Sequence, residues 1–137
     1  PFPEGSLVWA DAQMLQQVFL NLLTNALDAM EDGGEVRIGA KGRRDDSGRA
    51  PGQEWLDVAV SDTGTGISEE NLVRVFDPFF TTKEVGKGTG LGLAICQSII
   101  EQHRGIIEVQ SEGLGKGTVV TVSLPLAERG AASLEKH

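Results

Sequence analysis

Downstream of Asp11, apolar side chains recur at Met14, Leu15, Val18, Phe19, Leu22, Leu23, Ala26, Leu27 and Met30. That i, i+1, i+4, i+5 rhythm is helical, with Asp11 placed as the N-cap and EDGGE as the stop. At about 100° per residue the apolar stripe covers roughly 220° of the circumference, which predicts a mostly buried helix. The pattern then turns strand-like. One strand is expected near Glu35 to Lys41 and another, the alternating WLDVAVSD, from Trp55, with the polar GRRDDSGRAPGQ as a mobile loop between them. Ser68 stands as the N-cap of a short helix, SEENLVRVF, whose first turn carries Glu69 and Glu70, and Pro78 stops it.

The stretch from Thr81 to Gly90 has no periodicity. A second apolar helix is expected from Leu91 to about His103, with Gly105 where a C-terminal cap places glycine. Two further strands, GIIEVQS and GTVVTVSLP, make a hairpin around EGLGK, and the polar tail after Leu126 is assigned no element. Helix, two strands, short helix, aperiodic segment, helix, two strands: this order predicts an α/β two-layer sandwich, a mixed sheet packed on one face by helices. The domain is expected over residues 1–126, followed by a disordered tail at 127–137.

Composition narrows the class. At 137 residues, 39% of them hydrophobic, the chain suits one domain with a real core. Its apolar runs fall far short of the roughly 18 residues that span a bilayer, so no membrane contact is expected. The single cysteine, Cys96, excludes an intrachain disulfide, matches no zinc spacing and suits a reducing, cytoplasmic setting. A net charge of -8 argues against nucleic acid, whose backbone demands clustered Lys and Arg. Glycine is abundant: 18 of 137 residues, about 13% against an average of roughly 7%. Half of these fall in three clusters, at Gly64 and Gly66, at Gly86, Gly88, Gly90 and Gly92, and at Gly113, Gly115 and Gly117.

Several positions can carry chemistry, each with a plainer structural alternative. Asn21 and Asn25 lie one turn apart and Asp28 three residues further, at the margin of the apolar stripe. An amide oxygen there is a suitable hard ligand for Mg²⁺, and equally an ordinary polar flank of a buried helix. Asp62 ends a strand, where its carboxylate can accept a hydrogen bond from an exocyclic amine such as N6 of adenine, while Gly64 and Gly66 let backbone approach a flat ring. Equally, DTGTG is a turn that Asp initiates. GKGTGLGLAI is a glycine-alternating loop that opens a helix, an arrangement whose bare amides bind phosphate, or else a flexible hinge. It is not a Walker loop, since Gly88 follows Lys87. Lys83 and Lys87 flank it as cations for phosphate oxygens or as solvated lysines. His103, at a helix end, and Cys96, in an apolar helix, need no chemical role.

Together, NLLTNALDAM, DTGTGI, FDPFFTTK, GKGTGLGLAI and GKGTVVTVSLP stand in the order of the N box, first glycine box, F box, and second and third glycine boxes. From roughly Ala10 to Leu126 the chain thus resembles the catalytic domain of bacterial sensor histidine kinases, in the larger family shared with gyrase, the Hsp90 chaperone and MutL-type ATPases. It is most similar to the nitrogen-regulatory type, whose F box ends in FFTTK. The resemblance implies ATP and Mg²⁺ as ligands: Asn25 on the metal, Asn21 supporting the metal and phosphates, and Asp62 on adenine with Gly64 and Gly66 beneath the base. It also implies Thr118 approaching adenine through water, and Lys83 and the amides of Gly88, Gly90 and Leu91 near the phosphates beneath a short lid. Asn21, Asn25 and Lys83 are the catalytic set so implied. The γ-phosphate would pass to a histidine on a helical dimerisation domain that this sequence lacks, and then to a response-regulator receiver domain. Many histidine kinases have a lysine where Asp28 stands, and gyrase-like ATPases have a water-activating glutamate where Asn21 stands. The alternatives are a gyrase or MutL-type ATPase, an anti-sigma-type serine kinase and a module that only senses ATP or ADP.

Overall fold

A computed structural model describes residues 12–45, 52–78 and 92–126. Helix α1, Ala12–Asp28, is followed by strands β1, Val36–Asp45, and β2, Gln53–Asp62. The short α2, Glu69–Leu72, and then α3, Gly92–Gln102, precede the hairpin of β3, Ile106–Gln110, and β4, Thr118–Pro125. The strands lie in the order β1-β2-β4-β3, and each described pairing is antiparallel. The two-layer sandwich stands, but the mixed character expected of the sheet does not arise from these four strands.

Alternation along the strands decides where the core lies. Leu56, Val58 and Val60 of β2, and Val122 and Leu124 of β4, point to one face and are buried there. Val18 and Leu22 of α1 and Cys96, Ile99 and Ile100 of α3 close over that face. α1 is more one-sided than the 220° stripe predicts: Val18, Leu22 and Ala26 are buried, whereas Leu20 and Leu27 are each 63% exposed. The residues spaced one turn apart are buried, and Leu15, Phe19 and Leu23 pack half-buried against the same core. Leu20 and Leu27 suit a helix without being required by the core.

β1 and β2 also extend further than expected. The charged residues Gly42–Asp45 read as loop, yet they continue the ladder to Asp45↔Gln53. On the outer face the Arg43 guanidinium bonds Asp57 at 2.8 Å and lies 5.3 Å from the Trp55 ring centroid, so a charged side chain is held flat on the sheet. Ser68 caps α2 as expected, its hydroxyl accepting from the Asn71 amide at 3.2 Å. That helix ends after four residues, where the chain turns to bury Val75 and pack Phe76 against the core.

The end of α3 corrects the expected cap. Arg104, not Gly105, takes the left-handed conformation, at φ 60°. The Arg104 amide bonds the Glu101 carbonyl at 3.0 Å and the Gly105 amide the Ile100 carbonyl at 2.8 Å, the paired bonds of a Schellman motif. Gly105 is glycine for another reason: a Cβ there would lie 2.5 Å from the Ser123 carbonyl oxygen and 2.9 Å from Ile100 Cγ2. Beside it, the His103 Nδ1–H donates to the Ile99 carbonyl at 2.8 Å.

Candidate nucleotide site

Two walls of a site form at one end of the sheet. The first is built by strand register. Asp62, the last residue of β2, pairs with Thr118, the first of β4, so their side chains leave the sheet on the same, helix-covered face. Residues 56 apart in sequence therefore meet because the ladder from Trp55↔Pro125 to Asp62↔Thr118 is continuous.

The loop after Asp62 is fixed on every side. Asp62 Oδ1 accepts the Gly64 amide at 2.8 Å, so one carboxylate oxygen shapes the turn. The Thr65 amide bonds the Ala29 carbonyl at 3.0 Å, just beyond α1, and the Thr65 carbonyl accepts from Gly115 at 2.7 Å. The glycines expected to leave room for a ring are pressed instead against backbone. A Cβ on Gly64 would collide with the Ala29 carbonyl oxygen, and one on Gly66, at φ +70°, with the Gly113 carbonyl oxygen. Their glycine identity follows from internal packing.

The second wall lies between α1 and α3, which run antiparallel. Asn21 Nδ2 donates to Cys96 Sγ at 3.8 Å, while one turn along α1 the Asn25 amide nitrogen lies 3.8 Å from where a Gly92 Cβ would stand. Asn25 thus sits beside the first residue of α3, the helix end whose leading amides have no intrahelical partner and carry partial positive charge. Both asparagines are half-buried, whereas Asp28 is exposed. Cys96 is fully buried, and burial pushes its thiol pKa up, against a smaller opposing effect of the Asn21 bond. It behaves as the small hydrophobe expected of its position. Lys83, Lys87, Gly88, Gly90 and Leu91 lie outside the described residues.

Sequence reasoning passed over three residues that hold these walls. Ser111 bonds both loops beside Asp62, Gly117 is buried against the Asp62 backbone, and Gly92 borders Asn25. The second and third glycine clusters signalled Gly92 and Gly117, and nothing signalled Ser111.

A family model for histidine kinase-, DNA gyrase B- and HSP90-like ATPases matches residues 10–128. The chain belongs to this ATPase family. Its relatives include sporulation kinase E of Bacillus subtilis, 40% identical over 121 residues, covering 88% of this chain and 15% of that protein. Sensor kinase CckA of Brucella abortus is 44% identical over 124 residues, covering 86% and 13% respectively. This ATPase-family chain therefore spans about a seventh of the length of these curated relatives. Among solved structures, the catalytic domain of histidine kinase ThkA aligns with a TM-score of 0.67 and 35% identity, over 86% of this chain and 71% of that one. Full-length ShkA in complex with AMPPNP aligns at 0.66 and 32%, over 89% and 23%. The family domain here is thus homologous to the catalytic ATP-binding domains of sensor histidine kinases. No described helix is long and apolar enough to cross a membrane.

Proposed function

We propose that this chain binds Mg-ATP and presents its γ-phosphate to a histidine on a separate dimerisation domain of a two-component sensor kinase. The observation that carries the reading is the pairing of Asp62 with Thr118 at one strand-end wall, with Asn21 and Asn25 of α1 facing α3 at the other. Asp62 accepts the exocyclic amine of adenine through the oxygen not engaged with Gly64, and Thr118 supports that contact through water. Gly64 and Gly66 give the floor beneath the base its backbone shape. Lys83 and Lys87, with the amides of Gly88, Gly90 and Leu91, hold the phosphates. AMPPNP in the ShkA complex is consistent with a nucleotide in a fold of this kind.

The residues fit a magnesium ion that arrives with the nucleotide. Asn25 offers a neutral oxygen, and among the described residues no cluster of three His, Cys, Asp or Glu forms a cage of its own. Mg²⁺ commonly takes few protein ligands and completes its shell with phosphate oxygens and water. When bound, it neutralises charge on the transferring phosphoryl group. Asn21 separates kinase from hydrolase: an amide takes no proton from water, and its nitrogen already donates to Cys96. An incoming imidazole needs less activation. Its nitrogen bonds the γ-phosphorus as the bond to the β-γ bridging oxygen breaks, leaving ADP, and a receiver-domain aspartate later accepts the phosphoryl group.

The test supplies an acceptor dimerisation domain from a homologous kinase with [γ-³²P]ATP. Acid-labile label on that domain is expected. Acid-stable label would indicate a serine kinase, phosphate release without label an ATPase, and binding without either a nucleotide sensor.

A further inference from the structure

Ser111 follows β3 directly and is half-buried. Its hydroxyl accepts the Ile67 amide at 3.0 Å and the Gly113 amide at 3.2 Å, and donates to the Gly117 carbonyl at 2.7 Å. A hydroxyl offers one donor and two acceptor positions, so this one is fully used. The partners are unusual. Ile67 ends the loop that begins at Asp62, Gly113 lies in the hairpin loop, and Gly117 immediately precedes Thr118. One oxygen therefore joins the segment carrying Asp62 to the segment carrying Thr118, beyond the point where the ladder between β2 and β4 stops.

We propose that Ser111 is a positioning residue for base recognition, setting the Asp62 carboxylate against Thr118 without touching the nucleotide. This inference rests on the reading of Asp62 as the adenine acceptor. Removing the hydroxyl leaves the Ile67 and Gly113 amides without their acceptor and frees the Gly117 carbonyl. The two loops then keep only the Gly115 amide to Thr65 carbonyl bond, of 2.7 Å, among the hydrogen bonds described between them. A carboxylate no longer held in register loses most for a ligand that must meet it at a fixed point, and least for one that cannot donate to it.

The experiment compares Mg-ATP with the magnesium complex of purine riboside triphosphate, which carries hydrogen in place of the 6-amino group and has no N1–H, by titration calorimetry on the full 137-residue chain. Ser111→Ala should lower the affinity ratio of ATP to purine riboside triphosphate at least about fivefold, and Ser111→Thr, which keeps the hydroxyl, should stay within about twofold of the unaltered chain. Hydrogen exchange at the Ile67 amide should quicken in the alanine variant and not in the threonine variant. If Ser111→Ala melts below the assay temperature, Ser111→Cys takes its place: its thiol fills the space, bonds weakly and should show the same loss of ratio. A ratio unchanged in the variant lacking the hydroxyl, whatever its melting temperature, overturns the positioning role alone. An unaltered chain that binds neither nucleotide overturns the nucleotide-site reading together with it.

Discussion

Gly115 and Gly117 form a matched pair for testing how closely the hairpin loop is fitted to the end of β2. Their backbones are nearly alike, at φ +79° and +74°. Their surroundings are opposite. A Cβ on Gly115 meets nothing within 4 Å, whereas one on Gly117 collides with the Asp62 carbonyl oxygen and lies 3.2 Å from its carbon and 3.3 Å from Thr63 Cα. Left-handed backbone costs a non-glycine residue about 1 to 2 kcal/mol, offset in part by about 0.4 to 1 kcal/mol from a stiffer unfolded chain. Gly115→Ala should therefore destabilise by about 1 kcal/mol. Gly117→Ala carries the same backbone cost plus overpacking of about 1 to 3 kcal/mol, for a total of about 2 to 4. Urea denaturation of both variants measures the difference. With a slope of about 1 to 3 kcal/mol per molar, the Gly117 midpoint should fall further than the Gly115 midpoint by several tenths molar or more. Because relief of the collision moves Asp62, the Gly117 variant should also lose ATP affinity. Equal midpoints for the two variants would show that the loop yields freely and that Gly117 is glycine for its φ alone.

Arg104→Gly should raise stability by about 0.5 to 1 kcal/mol, since relief of left-handed strain exceeds the added freedom of the unfolded chain; a melting temperature that stays level or drops would contradict the cap geometry. Asp62→Asn retains an Oδ1 acceptor for the Gly64 amide but puts an NH2 donor where the second carboxylate oxygen would accept from adenine, so it should weaken ATP by about 1.5 to 3 kcal/mol while the melt is preserved; calorimetry showing unchanged affinity would remove Asp62 from the site. Asn25→Ala should lower nucleotide affinity in Mg²⁺ and leave it nearly unchanged in excess chelator, and equal losses in both would make Asn25 a packing residue. Burial raises the Cys96 thiol pKa, so the folded chain keeps a proton that the unfolded chain releases above the ordinary value of about 8.5. The stabilisation linked to that proton is complete below pH 8.5 and declines as pH rises toward the folded value. Cys96→Ala should flatten the decline, and parallel pH-stability curves would refute it.

Periodicity carried most of the fold. α1, α3 and the β3–β4 hairpin follow from apolar spacings of one turn or two residues, because burial against a neighbour needs that spacing. Where tertiary contact outweighs local composition, the sequence was less legible. Gly42–Asp45 is charged and reads as loop, but the ladder with β2 and the Arg43 contacts to Asp57 and Trp55 make it strand. Arg104 bears the left-handed φ, while the adjacent Gly105 answers to the Ser123 carbonyl, a demand from a strand 18 residues away. In the site, Asp62 and Thr118 were legible as motif positions, and the register brings them together. Ser111 was not, since a serine beside a glycine-rich loop signals nothing until its three partners are in space. Asn21 likewise finds Cys96 across 75 residues. The lysines and glycines of 79–91 lie outside the described residues.

The β1–β2 ladder runs from Val36↔Asp62 at one end to Asp45↔Gln53 at the other. Nine residue-to-residue steps separate Gln53 from Asp62 along the 10-residue β2, about 30 Å at roughly 3.3 Å per step. The strand ends Asp45 and Gln53 that flank the join are therefore as far from Asp62 as the described sheet allows. That makes the join the natural splice point for a reporter: a fluorescent domain inserted there would leave both walls intact, and the chain could serve as a sensor whose readout and ligand occupy opposite ends of one sheet.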